Sequence, residues 1–402
     1  MASQVNWLYI DMNSYFASVE QHLNPKLRGK PIAVVPMISD STSVIAASYE
    51  AKKYGIKTGT RVSDAKKMCP GLILASSDHR EYVKYHNLIV EAIESCHPIT
   101  AVTSIDEIAC ALGGRDRNLE NAMLLAKEIK TKIFKQVGES FTCSIGLAPN
   151  RFLAKVATDM QKPNGLVVIE LKDIPTKLLP LKLRDLIGIG ERMEVRLNSY
   201  GVHSIERLYK LSMNELRTIW GGVGGERFYK WIRGEDLEIS CRENQSIGHE
   251  HVLPPKFRNS EGVYNVGQRL LNKAAARLRK INSWTKHMSI YVRYTDRTYW
   301  EGDAKFLECQ DSFTLQEIFN QIWKDYKNRT PLKIAITLNN LVLETERTFS
   351  FFENPKRIEL SRVMDGLNQR YGKNTIYLGS VAEVLGSAPT RIAFSSIPEF
   401  EY

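Results

Sequence analysis

Two apolar runs in this sequence end in carboxylates, and that shared ending restricts what the chain can become. Trp7-Leu8-Tyr9-Ile10 runs into Asp11, and the stretch from Ala101 to Ile105 runs into Asp106-Glu107. Two strands that finish in acidic residues gather hard oxygen donors, which is the ligand chemistry of a divalent cation such as Mg²⁺. Mg²⁺ keeps several waters, takes one or two carboxylates and is completed by substrate phosphates, so the pattern points toward phosphoryl or nucleotidyl transfer. An acidic dipeptide at a strand end is also a common solvated feature, and the surrounding sequence has to decide between the two.

At 402 residues the chain is too long for one core and long enough for two to four domains. No stretch approaches the apolar length of a membrane span, and Met1-Ala2-Ser3-Gln4 lacks the layout of a secretion signal, so a soluble, cytoplasmic protein with no membrane partner is expected. Six cysteines are scattered without a C-x-x-C pair, which fits reduced thiols better than disulfides or structural zinc. The net charge of +10 favours a polyanionic partner, although charge alone does not separate nucleic acid from an anionic membrane.

The first 170 residues read as an α+β core. Strand, helix and strand (Trp7 to Ile10, Ser14 to His22, Pro31 to Val35) are followed by Val44 to Gly55, a strand running into a short helix that stops at glycine. Arg80 to Cys96 is an amphipathic helix, and Ala101 to Ile105 with Ile108 to Leu112 form a tight hairpin around the acidic pair. Asn118 to Val137 and Asn150 to Met160 are helical, with strands at Phe141 to Leu147 and Leu166 to Ile169.

From about residue 171 the texture changes to short helices separated by glycine. Gly188-Ile189-Gly190 and Gly222-Val223-Gly224 each sit between helices. Glycine there lets backbone N–H groups at a helix start approach a phosphate closely, and two ordinary helix-ending turns are the alternative reading. Cys241 to Ser246 is polar and reads as a linker. Beyond it lies a β-α-β-β-α-β module, whose first helix carries Arg269, Lys273, Arg277 and Lys280 along one face, either a solvated stripe or a nucleic-acid contact.

The motifs taken together resemble the Y-family, or translesion, DNA polymerases, in the bacterial DinB/UmuC-like branch, over roughly residues 5 to 375. They are Tyr9-Ile10-Asp11-Met12-Asn13-Ser14-Tyr15-Phe16-Ala17-Ser18-Val19-Glu20, Ser48-Tyr49-Glu50-Ala51-Lys52-Lys53-Tyr54-Gly55, Ser104-Ile105-Asp106-Glu107, Ser144-Ile145-Gly146, Ala154-Lys155-Val156-Ala157 and Lys162-Pro163-Asn164-Gly165. The resemblance implies a right-hand polymerase: palm (1–13 and 80–170), small fingers (14–79), a helical thumb with helix-hairpin-helix units (171–240), a linker (241–246), a little finger (247–346) and a C-terminal tail (347–402). It implies low-fidelity, template-directed synthesis by two-metal nucleotidyl transfer with pyrophosphate release.

Residue by residue, the resemblance makes Asp11, Asp106 and Glu107 the catalytic carboxylates. With the Met12 carbonyl they would hold two Mg²⁺ ions, Mn²⁺ being a substitute. Tyr49, Lys52 and Lys162 take the places of triphosphate ligands, joined by the backbone N–H groups of Tyr15 and Phe16, and Phe16 takes that of the steric gate against ribonucleotides. Lys52 stands where the family more often has Arg, and Ala46 where it commonly has Thr; a lysine offers a point charge rather than a bidentate fork. Gly188, Gly190, Gly222, Gly224 and the basic face of Arg269, Lys273, Arg277 and Lys280 would meet DNA.

The implied partners are primer–template DNA and deoxynucleoside triphosphates, bound by a monomer. Thr348-Phe349-Ser350-Phe351-Phe352 lies where bacterial relatives carry a sliding-clamp peptide, with Thr348 in place of its glutamine, and it reads equally as a hydrophobic anchor for the next helix. A catalytically weak, DNA-binding accessory of a mutagenic polymerase complex is the rival, opposed by the intact acids. A palm-type nucleotidyl cyclase is a second, opposed by the hairpins and the basic module.

Overall fold

The structure, a computed structural model, describes residues 5–237, 245–347, 353–389, 392 and 397–398. Contacts divide the chain into two units, Met1–Ile239 with Thr390–Tyr402, and Ser240–Pro389.

In the first unit β1 (Trp7–Met12) is the central strand of a five-stranded sheet and is buried along nearly its whole length. A strand covered on both faces has no polar side to alternate with, which is why the segment reads as a continuous apolar run. After α1 (Tyr15–Leu23), β2 (Ile32–Val35), β3 (Ala46–Ala47) and β4 (Ile73–Ser76) form a small sheet, with α2 (Tyr49–Lys52) and α3 (Val62–Met68) in the connection before β4. Neither α3 nor β4 is evident in the sequence: both are short, and β4 is defined by parallel pairing to β2 some forty residues earlier, Ile32 opposite Ile73.

The large sheet is completed by α4 (His79–Glu94), the hairpin of β5 (Ala101–Val102) and β6 (Glu107–Ala111), α5 (Leu119–Gln136), β7 (Cys143–Ala148), α6 (Arg151–Met160) and β8 (Leu166–Val168), in the order β5-β6-β1-β7-β8. The hairpin is as expected, but its first strand stops at Val102, so Asp106 lies in the turn and Glu107 opens β6. Gly146 on β7 is required by close packing: a Cβ there would fall 2.0 Å from the Ala154 carbonyl oxygen, so only glycine lets α6 settle on the sheet at this distance.

Four short helices follow, α7 (Glu191–Ser199), α8 (Ile205–Tyr209), α9 (Met213–Trp220) and α10 (Val223–Trp231). Gly188 has φ 87° and Gly190 caps α7, as the hairpin reading requires. The second hairpin turns at Gly221 and Gly222, with φ 78° and 140°, and Gly224 instead lies inside the first turn of α10. The glycine run serves packing as well as turning, since a Cβ on Gly225 would sit 2.0 Å from the Leu216 carbonyl oxygen on α9.

The second unit follows the expected β-α-β-β-α-β order: β9 (Ser246–Val252), α11 (Ser260–Lys280), β10 (Ser283–Tyr294), β11 (Tyr299–Cys309), α12 (Ser312–Trp323) and β12 (Pro331–Leu343). Its sheet is antiparallel in the order β11-β10-β12-β9. Met288, Ile290, Val292, Ile334, Ile336 and Leu338 share the core with α11 and α12 residues, which leaves His287, Ser289, Tyr291, Arg293, Lys333 and Asn339 on the opposite face. Strand β9 already begins at Ser246, where the sequence placed linker, and residues 241–244 lie outside those described.

α13 (Pro355–Tyr371) comes next, and Val381, Val384 and Ala388 enter the same core, so the segment read as a tail is part of this unit up to Pro389. The clamp-like peptide 348–352 lies outside the described residues. Among the described residues no helix is long and apolar enough to cross a membrane.

Candidate active site

Antiparallel pairing of β1 with β6 sets Asp11 directly opposite Glu107, and residues so paired project from one face. Asp106, in the preceding turn, is tied to the same place by its carbonyl, which accepts from the Met12 N–H at 2.9 Å. Register therefore brings all three predicted carboxylates to one end of the central strands. Tyr9, two residues before Asp11 and on its face, donates its hydroxyl to Glu107 Oε2 at 2.8 Å and lies 2.6 Å from Thr103 Oγ1. Ser104 Oγ donates to Asp106 Oδ1 at 2.6 Å.

Cations come from α6 and the loop after it. Lys155 Nζ bonds Asp11 Oδ2 and lies 3.1 Å from Glu107 Oε1 and 3.2 Å from Asp159 Oδ2. Lys162 Nζ reaches Asp11 Oδ2 at 2.8 Å and Asp159 Oδ1 at 2.7 Å. Burial, with Asp11 and Glu107 alongside, raises the Asp106 carboxyl above its ordinary range, while the Ser104 hydrogen bond pulls the other way. Burial by itself would lower the Lys155 ammonium, but Asp11, Asp159 and Glu107 outweigh it and hold the group above its usual value.

The expected nucleotide ligands gather around the same carboxylate. Lys52 donates to Ser14 Oγ at 2.7 Å and lies 4.4 Å from the centre of the Tyr49 ring. Burial lowers Lys52, assisted by Lys162, and burial raises the Tyr49 phenol, with Lys162 and Asp11 both acting on it, so these groups share one electrostatic neighbourhood. Tyr15, expected to act through its backbone N–H, has its ring buried and its hydroxyl donating to the Tyr82 carbonyl at 2.5 Å, with its backbone at the helix start. First-turn N–H groups have no intrahelical acceptor, and Ser14 supplies no side-chain cap. Phe16 stacks on Tyr82 at 4.2 Å and meets the edge of His79 at 6.2 Å.

Asn13 was missed by sequence reasoning, and it organises the site. It is 2% exposed, and its Oδ1 accepts from the Asn164 N–H at 2.8 Å and from Thr142 Oγ1 at 3.2 Å, while its Nδ2 donates to Ser144 Oγ at 3.1 Å. Ser144 Oγ in turn donates to the Gln161 carbonyl at 3.1 Å. The strand bearing Asp11 and the loop bearing Lys162 are thus stitched together by two buried polar side chains. Lys155 was passed over as well, although Lys155 and Asp159 lie one helical turn apart on α6 and Lys162 follows just beyond its end, a charged cluster that meets Asp11.

The four basic residues of α11 do not behave alike. Arg269 Nε donates to the Ser387 carbonyl at 2.7 Å and Lys273 Nζ to that of Ala388 at 2.9 Å, so both are half-buried and hold the end of their own unit. Arg277 and Lys280 are exposed. The polar face of the sheet, opposite the helices, offers Arg293 beside Lys333 in register; strand alternation was the signal that would have found it.

Hard oxygens from Asp11, Asp106, Glu107 and the Met12 carbonyl suit a divalent cation in kind, and the burial that chiefly raises Asp106, with the repulsion of Asp11 and Glu107 added to it, is a cost of carboxylate charge that a cation relieves. Among the described residues no three acidic, histidine or cysteine side chains converge closely enough to hold an ion as they stand. Lys155 bridges Asp11 and Glu107, and an ion bound by both must displace its ammonium.

The impB/mucB/samB family model matches residues 10–159, its C-terminal domain model matches 244–351, and a model of the DNA polymerase-iota thumb domain matches 184–236. DNA polymerase IV of Moorella thermoacetica is 33% identical, over 94% of this chain and 96% of its own length. DNA polymerase IV of Oceanobacillus iheyensis is 30% identical over 92% of this chain and 90% of its own. Among solved structures, a Y-family DNA polymerase chimera of Dbh and Dpo4 superposes with a TM-score of 0.70 at 26% identity, covering 84% of this chain and 99% of its own. DinB from Sulfolobus solfataricus gives 0.56 at 26% identity with the same coverage. Family membership carries dependence on a divalent metal ion, which the donor set suits. With carboxylates, ammonium groups and fold agreeing with these likenesses, the chain belongs to the impB/mucB/samB family of Y-family polymerases and is a DNA-directed DNA polymerase of translesion synthesis.

Proposed function

We propose that Asp11, Asp106, Glu107 and the Met12 carbonyl hold two Mg²⁺ ions, or Mn²⁺ in their place, at the junction of β1 and β6. Such ions supply activation of a primer 3′-hydroxyl and charge stabilisation at the departing pyrophosphate. What supports the reading is the placement of three carboxylates at one end of the central strands, with Lys52 and Lys162 in the same electrostatic neighbourhood. Lys52, Lys162 and Tyr49 grip the triphosphate, joined by the backbone N–H groups of Tyr15 and Phe16 at the start of α1. Lysines act there as point charges, which loosens geometric selection of the nucleotide. Asn13 sets the height of the Lys162 loop, and Phe16 lies under the sugar and excludes a 2′-hydroxyl.

In this reading residues 1–13 and 80–170 form the palm, 14–79 the fingers, 171–240 the thumb and the second unit the little finger. The glycine hairpins at Gly188–Gly190 and Gly221–Gly222 hold the duplex by its phosphates, Gly224 contributing its N–H from the first turn of α10. Phosphate contacts position the duplex without reading sequence, as a template-directed enzyme needs. The second unit adds Arg277, Lys280, Arg293 and Lys333. The enzyme works as a monomer, with residues 348–352 as a weak attachment to a sliding clamp.

Primer extension on undamaged and lesion-bearing templates tests the assignment. Wild type extends in Mg²⁺, and Asp106→Ala and Glu107→Ala lose at least about a hundredfold in kcat. Phe16→Ala gains ribonucleotide insertion. Full extension by Asp106→Ala would remove that residue from the metal site, and an inactive wild type that still binds primer–template DNA would favour the accessory reading.

A further inference from the structure

Of the paired acids Asp11 and Glu107, the second has more freedom to swing. Its side chain is 27% exposed against 8% for Asp11, and a glutamate carries one more rotatable bond than an aspartate. A carboxylate that can turn either oxygen toward a cation presents neither one reliably, so its orientation has to be fixed by its neighbours.

Tyr9 fixes it from the adjoining strand. Its hydroxyl donates to Glu107 Oε2 at 2.8 Å, and with that proton spent, the 2.6 Å contact to Thr103 Oγ1 is one in which Thr103 donates. Two hydroxyls in series therefore end on a single carboxylate oxygen. Thr103 belongs to the turn that carries Glu107: its N–H donates to the Glu107 carbonyl at 2.9 Å, and its Oγ1 also lies 3.1 Å from that carbonyl and 3.4 Å from Oε2. Glu107 Oε1 is left on the other side, 3.1 Å from the Lys155 ammonium that also bonds Asp11.

The phenol reaches this position on a rigid support. Tyr9 is 4% exposed, and its cross-strand partners on β6 and β7 are Ala109 and Gly146, whose small size leaves the ring room. Leu153, Ala154 and Ala157 of α6 share its apolar cluster. A ring packed in this way brings its body to the core and its polar tip to one place, and a buried tyrosine hydroxyl needs such a partner.

We propose that Tyr9, backed by Thr103, is a positioning residue for Glu107: it occupies Oε2 and leaves Oε1 as the oxygen offered to a divalent cation. The proposal rests on Glu107 being a metal ligand. Hydrogen bonds to a ligating carboxylate set its orientation, and loss of one costs about tenfold or more in metal affinity.

The test measures Mn²⁺ affinity by electron paramagnetic resonance, with the full chain bound to a dideoxy-terminated primer–template and a matched deoxynucleotide. The Mg²⁺ concentration for half-maximal insertion on an extendable primer is measured alongside. Tyr9→Phe keeps the ring and removes the hydroxyl. It is expected to weaken Mn²⁺ binding about tenfold and to raise the Mg²⁺ requirement by about the same factor, with KM for the nucleotide at saturating metal within about twofold of wild type. Thr103→Val should weaken Mn²⁺ binding about threefold, and it decides the matter if Tyr9→Phe does not fold. In the Glu107→Ala background Tyr9→Phe should have no further effect. A purely structural role would lower the unfolding midpoint and leave both metal readouts unchanged, which overturns the proposal, as does an equal loss with and without Glu107. Weakened binding in Glu107→Ala beside unchanged binding in Tyr9→Phe overturns the proposal alone, whereas Glu107→Ala with wild-type Mn²⁺ affinity removes Glu107 from the metal site and this role for Tyr9 with it.

Discussion

Asn13→Ala should uncouple the Lys162 loop from the central strands while leaving every carboxylate in place. The substitution removes three hydrogen bonds, to Asn164, Thr142 and Ser144. Each is worth about 1 kcal/mol net, but the losses are unequal. Ser144 keeps its bond to the Gln161 carbonyl, and the exposed Asn164 can be rehydrated. A total near 2 kcal/mol is therefore expected rather than 3, which for a unit of this size lowers the melting temperature by about 5 °C. The functional effect should fall on nucleotide binding: Lys162 would lose the anchored neighbour that holds its loop, and KM for the incoming nucleotide should rise about tenfold with kcat reduced less, a change worth about 1.4 kcal/mol. Urea unfolding and steady-state single-nucleotide insertion measure the two effects. Ser144→Ala belongs to the same network, so the pair should be non-additive by about 1 kcal/mol in a double-mutant cycle. Strict additivity, or a fall in kcat with KM untouched, would refute the idea that Asn13 works by holding the loop.

Lys155→Met should destabilise the first unit by about 3 kcal/mol near neutral pH, because it leaves Asp11 and Glu107 facing each other without their shared ammonium. Added Mg²⁺ should recover part of that in thermal unfolding, and no recovery would count against the acids as a metal site. In the second unit, burial together with Lys273 and Arg277 holds the His249 imidazole down at about 4. The unfolded chain then takes up the proton first, so stability should fall as pH drops from about 6.5 toward 4, by up to about 3 kcal/mol; His249→Gln should flatten that slope in denaturant unfolding at several pH values. Arg269→Ala should cost stability in the second unit while leaving the salt dependence of DNA binding unchanged, because its guanidinium is spent on the Ser387 carbonyl. Arg293→Ala should do the reverse, lowering the slope of log affinity against log salt by about 1, as measured by fluorescence anisotropy.

Local signals wrote much of this molecule into the sequence. The apolar run of β1, the amphipathic α4 and α5, and the alternating strands of the second unit have periods that belong to the chain itself, and their burial follows. The acids proposed as metal ligands stood out in the sequence for the same reason: a carboxylate at the end of a buried strand contrasts with its neighbours. Elements of short length and distant pairing were not legible. β4 exists because β2 offers an edge, and Gly224 falls inside α10, next to a Gly225 whose bare Cα clears the Leu216 carbonyl.

Tertiary structure alone decided the working details of the site. One strand register placed Asp11 opposite Glu107, the bare Cα of Gly146 let α6 bring Lys155 and Asp159 to them, and Asn13 gained its three partners from segments more than a hundred residues away. It also split the basic face of α11, giving Arg269 and Lys273 to backbone carbonyls in the half-buried part of the helix, whereas Arg277 and Lys280 lie on its exposed surface. A sequence carries the chemical identity of a donor or an acid, but a hydrogen bond or an ion pair depends on distances of a few ångströms that packing sets. The family and the residues proposed for its chemistry were therefore readable, whereas the groups that hold those residues in place became visible only once the strands and helices had met.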